Sequence, residues 1–309
     1  MRYSLASRFQ GAWFGSILGE GTIWPPPPQP LSRPPNTLWT WLEIKQAIAK
    51  MTTTPDESAI ALAEETTAMD GQIKATSMTS AVLAVLLLPI IFLHHEDREN
   101  LQSRLVDAIA QDWMQRLPTL SNFDGNADVC LWGNAMALVL LDTVAPDLFL
   151  TQLLDQSRSL STPLVDAIAE FPDALSHRLS GTALQRQWSL HLNPSQQAIA
   201  GALFCFLTTP ESWSVAMARS QFVAQPSPWL CALVGAISGC YNSNSALPFR
   251  ALQLLPDSIK IEICQQSQQL LTIWSGGLPS PSCTASMQAI APAGKLQKRR
   301  SRPIISQKF

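Results

Sequence analysis

Charge is what this chain has least of. Asp, Glu, Lys and Arg make up only 14% of its 309 residues, well below the roughly 25% of an average soluble protein. The balance is close to neutral, at −2, so no overall field draws the chain toward nucleic acid or an anionic membrane. Polarity comes instead from Gln, Ser, Thr and Asn, which suits a thick helical body or one with a face covered by a partner. A long apolar run is missing as well. The greasiest stretch, Ala81 to Leu93, is shorter than the ~20 residues a spanning helix needs and is broken by Pro89. The opening residues MRYSLASRFQ lack the apolar centre of a secretory signal. Cys130, Cys205, Cys231, Cys240, Cys264 and Cys283 show no CxxC spacing, which argues against zinc and dithiol motifs and leaves them as reduced core thiols. These absences lead us to expect a cytoplasmic protein without a transmembrane segment. Alternating runs and Asn-Gly hairpin signals are nearly absent too, so strands are not expected.

What is present announces helices. Thr54-Pro55-Asp56-Glu57 and Asn193-Pro194-Ser195-Gln196 fit a capping box with proline at the first helical position. Thr162-Pro163 and Thr209-Pro210 carry the cap and the proline alone. Apolar residues then recur at three and four, as in Ile60, Ala63 and Thr67 or Ile199, Leu203 and Phe206. The expected fold class is all-α, a single compact multi-helix orthogonal bundle over residues 1–275. Residues 24–36 form a proline-rich loop, read as a stiff surface connection with a proline-binding module as the second reading. Residues 276–309 form a flexible basic tail carrying Lys295, Lys298, Arg299, Arg300 and Arg302, for which contact with an acidic partner or nucleic acid is the second reading.

Gly11, Gly15 and Gly19 recur every fourth residue, giving a helix a stripe with no side chains. Each costs roughly 1 kcal/mol relative to alanine, and a close backbone approach is the usual compensation. Gly235 and Gly239 repeat the device far along the chain. The two striped helices are expected to pack on each other or on a common neighbour.

The run Gly11-Ala12-Trp13-Phe14-Gly15-Ser16-Ile17-Leu18-Gly19-Glu20-Gly21 resembles the opening helix of the ADP-ribosylglycohydrolase family, which ends in Gly-Asp. Ala232-Leu233-Val234-Gly235-Ala236-Ile237-Ser238-Gly239-Cys240-Tyr241 with downstream Leu247-Pro248 resembles its late Gly-Ala-x-x-Gly-Ala helix and Ile-Pro. Thr76-Ser77-Met78-Thr79 stands where the family places Thr-Asp-Asp-Thr. The resemblance implies that family's helical fold and a pocket for ADP-ribose between these segments. It also implies a pair of divalent cations, usually magnesium, held by an early Asp pair and a late Asp-x-Asp-Thr. Magnesium needs oxygen ligands, and several carboxylates to neutralise two ions. Here Pro226 and Pro228 occupy the late aspartate positions, Trp229 the threonine, and Ser77 and Met78 the early pair. The expectation is a degenerate member with no metal and no cofactor, acting in binding or regulation.

Glu20 is the candidate catalytic residue, as a general base or a ribose ligand, beside the plainer reading of a helix-end carboxylate. Thr76, Ser77, Trp24 and Trp229 are the candidate ligand-binding residues, the two indoles as a stack for adenine. The expected partner is ADP-ribose or a related nucleotide, or another protein, with no membrane and no nucleic acid. An active hydrolase of ADP-ribosyl bonds through a remodelled site is the second reading, and a structural subunit of a complex the third. His94-His95-Glu96-Asp97 reads as a polar helix exit, because adjacent imidazoles on a helix point about 100° apart. His177 and His191 are isolated. Asp124-Gly125-Asn126-Ala127-Asp128 reads as a turn ahead of a helix spanning Trp132 to Leu141, since the glutamate that closes a calcium loop is missing.

Overall fold

A long helix that is mostly apolar belongs in the middle of a fold, and the described residues contain four. They are α1 (Leu5–Gly21), α5 (Asn126–Leu141), α10 (Pro194–Thr208) and α12 (Pro228–Asn242). Unbroken buried runs cover Asp128 to Leu140 in α5, Ala198 to Phe206 in α10 and Leu230 to Cys240 in α12. A computed structural model describes residues 3–21, 79–110, 125–141, 146–177, 181–223, 227–253 and 255–277, and every regular element among them is helical. The scarcity of charge follows from this interior, because helices with no solvent face have no use for charged side chains.

The remaining helices wrap the four. The greasy run splits at Leu87 into α2 (Thr79–Leu86) and α3 (Leu88–His94), with Pro89 in the first turn of α3, where its missing N–H is harmless. α4 (Arg98–Ala108) starts from the Asp97 cap, whose carboxylate accepts from the Asn100 N–H at 3.1 Å, and packs on α3 and α5. α6 (Pro146–Gln156), α7 (Pro163–Ala169), α8 (Phe171–Ser176) and α9 (Gly181–Trp188) form an outer run against α5 and α10. α11 (Trp213–Val223) lies on α10 and α12, and α13 (Phe249–Gln253) and α14 (Asp257–Trp274) close against α1. None of the described helices is long and apolar enough to cross a membrane.

Two of the proline caps behave as their sequence suggests. Thr162 accepts from the Leu164 N–H, and Asn193 with Gln196 forms the full capping box of α10. The third does not: Thr209 ends α10, its hydroxyl donating back to the Cys205 carbonyl at 3.0 Å, and the next helix waits until Trp213. A threonine hydroxyl can serve either end of a helix, so the Thr-Pro pair alone was ambiguous. The Asp124 segment also differs from expectation. The helix begins at Asn126, so Asp128 sits in its first turn and is buried. Thr54, Ile60, Ala63 and Thr67, the proline-rich loop and the basic tail beyond Gly277 lie outside the described residues.

α1 and α12 run antiparallel with their backbones touching. A Cβ placed on Gly15 would stand 2.8 Å from the Gly235 carbonyl carbon, and one on Gly235 would stand 2.6 Å from that of Gly15. Gly239 faces Gly11 in the same reciprocal way, and Gly19 faces the backbone of Cys231. Such distances are available only to glycine, which is the compensation for its poor helix propensity. Trp213 of α11 covers the middle of the seam, its indole N–H donating to the Gly235 carbonyl at 3.3 Å. Arg8 anchors the other side. It is 2% exposed, and its guanidinium donates at 2.8 Å to the Val139 carbonyl and at 3.4 Å to that of Leu140, at the negative end of α5.

Candidate functional site

The seam determines which chain ends meet. Because Gly19 lies on Cys231, the last turn of α1, with Glu20, stands beside the first turn of α12, with Trp229. Glu20 is partly exposed. Trp229 is partly buried and packs against the core. Pro228 takes the first position of α12 after the Ser227 cap, so this helix start has neither a side-chain oxygen nor an N–H at that residue. α12 leans on α10 near the same level: a Cβ on Gly201 would stand 3.1 Å from Leu230 Cδ1.

Hydrogen bonds tie four further helix starts together. Ser195, in the first turn of α10, accepts from the Ala81 N–H of α2 at 2.7 Å. Its neighbour Gln196 donates through Nε2 to Asp128, at 3.1 Å to one carboxylate oxygen and 3.4 Å to the other. Asp128 also accepts from the Thr162 hydroxyl, the cap of α7, at 2.7 Å. The N-terminal ends of α2, α5, α7 and α10 therefore share one polar knot inside an otherwise apolar body. Helix N-termini carry partial positive charge, and Asp128, 2% exposed, supplies the compensating carboxylate.

The sequence-derived candidates are only partly covered. Trp24, Thr76, Ser77 and Met78 lie outside the described residues, so the structure places Glu20 and Trp229 alone, and it places them at the same end of the seam. Asp128, Gln196, Ser195 and Trp213 were not singled out from sequence as a group. The one signal available was the Asn193-Pro194-Ser195-Gln196 capping box, which marks a helix start but not what that start touches. Among the described residues, no three His, Cys, Asp or Glu side chains gather as a metal ion would require. The magnesium pair implied by the resemblance therefore finds no fit in what is described: Pro228 offers no donor, and Asp128 is already engaged by Thr162 and Gln196.

The thiols behave as core residues. Burial pushes Cys130 up to about 11 and Cys205 and Cys240 up to about 12. Cys231 is raised by burial despite a hydrogen bond shared with the Ser220 hydroxyl and one from the Gln221 amide to its sulfur. No described cysteine is in a disulfide, and none has the depressed pKa of a nucleophile.

The described residues thus define an all-helical body organised around a glycine-to-glycine helix pair, with four helix starts joined by hydrogen bonds. Comparison with known families and with characterised proteins finds no match to this chain.

Proposed function

We propose that this chain is a metal-independent binding or regulatory protein built on an ADP-ribosylglycohydrolase-like frame, with a ligand of the ADP-ribose or nucleotide class at the end of the seam. The observation that carries this reading is the antiparallel fit of Gly15 on Gly235, which joins the two segments whose sequences resemble that family. Glu20 then offers an acceptor for ribose hydroxyls and Trp229 an apolar face. Hydrolysis is the weaker reading because glycosidic cleavage uses two carboxylates or a metal-activated water, and Glu20 is the single acidic residue of the two seam helices.

A structural subunit is the second reading. It is favoured by apolar side chains left exposed on the outer helices, Phe222 at 71% and Phe249 at 72%.

Thermal stability measured with ADP-ribose tests the proposal. Ligand at about 100 times Kd stabilises the native state by about 2.7 kcal/mol. The expected shift is the same with EDTA or with magnesium, and it shrinks in Trp229→Ala relative to that variant's own baseline. A shift or turnover that appears only with magnesium revives the hydrolase. No shift with any nucleotide, together with a stoichiometric co-purifying protein, favours the subunit.

A further inference from the structure

An aromatic column links the glycine seam to the last described helix. Trp13 and Phe9 of α1 both lie against Phe92 of α3, with ring centroids 5.4 Å and 4.3 Å away. His95, the residue that caps the C-terminal end of α3, meets Phe9 edge-on at 6.3 Å. On its other side it stacks on Trp274, the final residue of α14, at 5.7 Å and 29°. His95 is 4% exposed and is the one member of the column that titrates near neutral pH. Its Nδ1 lies 2.8 Å from the Phe92 carbonyl, and a carbonyl only accepts, so Nδ1 carries the hydrogen. In the neutral ring Nε2 is then a bare acceptor. Protonation adds a second N–H and a full charge against the face of Trp274 and beside the ring of Phe9.

We propose that the His95–Trp274 contact is a pH-operated latch, holding the end of α14 against α1 and α3 while the imidazole is neutral and releasing it on protonation. Two forces compete at this ring. The C-terminal end of α3, the Phe92 carbonyl, the nearby Glu96 and cation–π attraction to Trp274 favour the cation. Burial opposes it and is the larger effect, so the imidazole is held below its ordinary range. The surrounding elements do not change that balance. On α4 and its cap, Arg104 and Asp97 act on His94, which burial also lowers, while the remaining α4 charges are Arg98, Glu99 and Asp107. α14 carries Asp257, Lys260 and Glu262 in its first two turns, far along the helix from Trp274. α5 carries only Asp128, at its opposite end. α1 presents Arg8 next to Phe9, committed to the α5 carbonyls.

The sign follows from linkage. A histidine whose docked pKa is depressed supports docking above the free value, and that support is lost as pH falls below it. With a free value near 6.5 and a docked value below it, the population of the released end is expected to rise as pH falls from 7.5 to 5.5, by at most about tenfold. Amide hydrogen exchange of residues 268–277, corrected for the intrinsic pH dependence of exchange, reads this directly.

The chain has four histidines, so the triple variant His94→Asn, His177→Asn, His191→Asn leaves His95 as the sole imidazole. The loss of protection must persist there, setting in below the free value and levelling off where the one remaining imidazole proton signal titrates. It must vanish in His95→Asn, where the amide keeps a donor for the Phe92 carbonyl without titrating. Equal protection at both pH values in the native protein or the triple variant overturns the latch, as does a transition that survives in a folded His95→Asn.

Discussion

Replacing Gly235 by alanine is the most direct probe of the seam. The added Cβ would stand 2.6 Å from the Gly15 carbonyl carbon and 3.3 Å from the Ser16 nitrogen. Carbon pairs are comfortable at about 3.5–4.0 Å, so the two backbones must part by about 1 Å. No rotamer change can relieve the contact, because both obstacles are main chain. Overpacking of this kind costs about 1–3 kcal/mol, and a gap of about 1 Å removes up to about half of the dispersion attraction of neighbouring pairs along the seam. Alanine returns about 1 kcal/mol through its better helix propensity. The expected net loss is about 2–3 kcal/mol, read as a lower denaturant midpoint with an unchanged slope. Gly201→Ala is the matched control. Its Cβ would meet Leu230 Cδ1 at 3.1 Å, the far end of a flexible side chain, so the variant should be neutral or up to about 1 kcal/mol more stable. In Gly15→Ala/Gly235→Ala one separation relieves both clashes, so the double loss should fall short of the sum of the single losses. A Gly235→Ala protein as stable as Gly201→Ala would refute the seam.

Two further outcomes are expected. Asp128→Asn puts a donor where Thr162 and Gln196 both donate; the loss should be about 2 kcal/mol, in the range for hydrogen bonds to charged groups, and is checked by denaturant unfolding. Intact protein at pH 8 should leave Cys130, Cys205 and Cys240 unalkylated, because thiols held near 11 to 12 are ionised there to about one part in a thousand or less; mass spectrometry should find them modified only after unfolding, and rapid labelling of any of them in the native state would contradict their burial.

Much of the framework was legible in one dimension. The all-helical class followed from caps and three-four periodicity, and the Asn193 and Thr162 starts are where their side-chain oxygens place them, because a cap is a local bond closed within three residues. The glycine stripe announced that some backbone would come close. It did not announce which one: the repeat at Gly235 and Gly239 left open a mutual contact or a common neighbour, and packing across the fold joined Gly15 to Gly235.

The rest needed the tertiary structure. Asp128 read as part of a turn, because its helix start is recognised only by partners on two other helices, Thr162 and Gln196. Thr209-Pro210 read as a beginning and is an end, because a hydroxyl bonds equally well in either direction. His95 read as a polar exit, and its position at the helix end was right. That it is buried between Phe9 and Trp274 depended on α1 and α14, which reach it from the two ends of the described chain. Local hydrogen bonding and hydrophobic period are written residue by residue. Which helix ends share a neighbourhood is decided only when the apolar helices compete for the same interior.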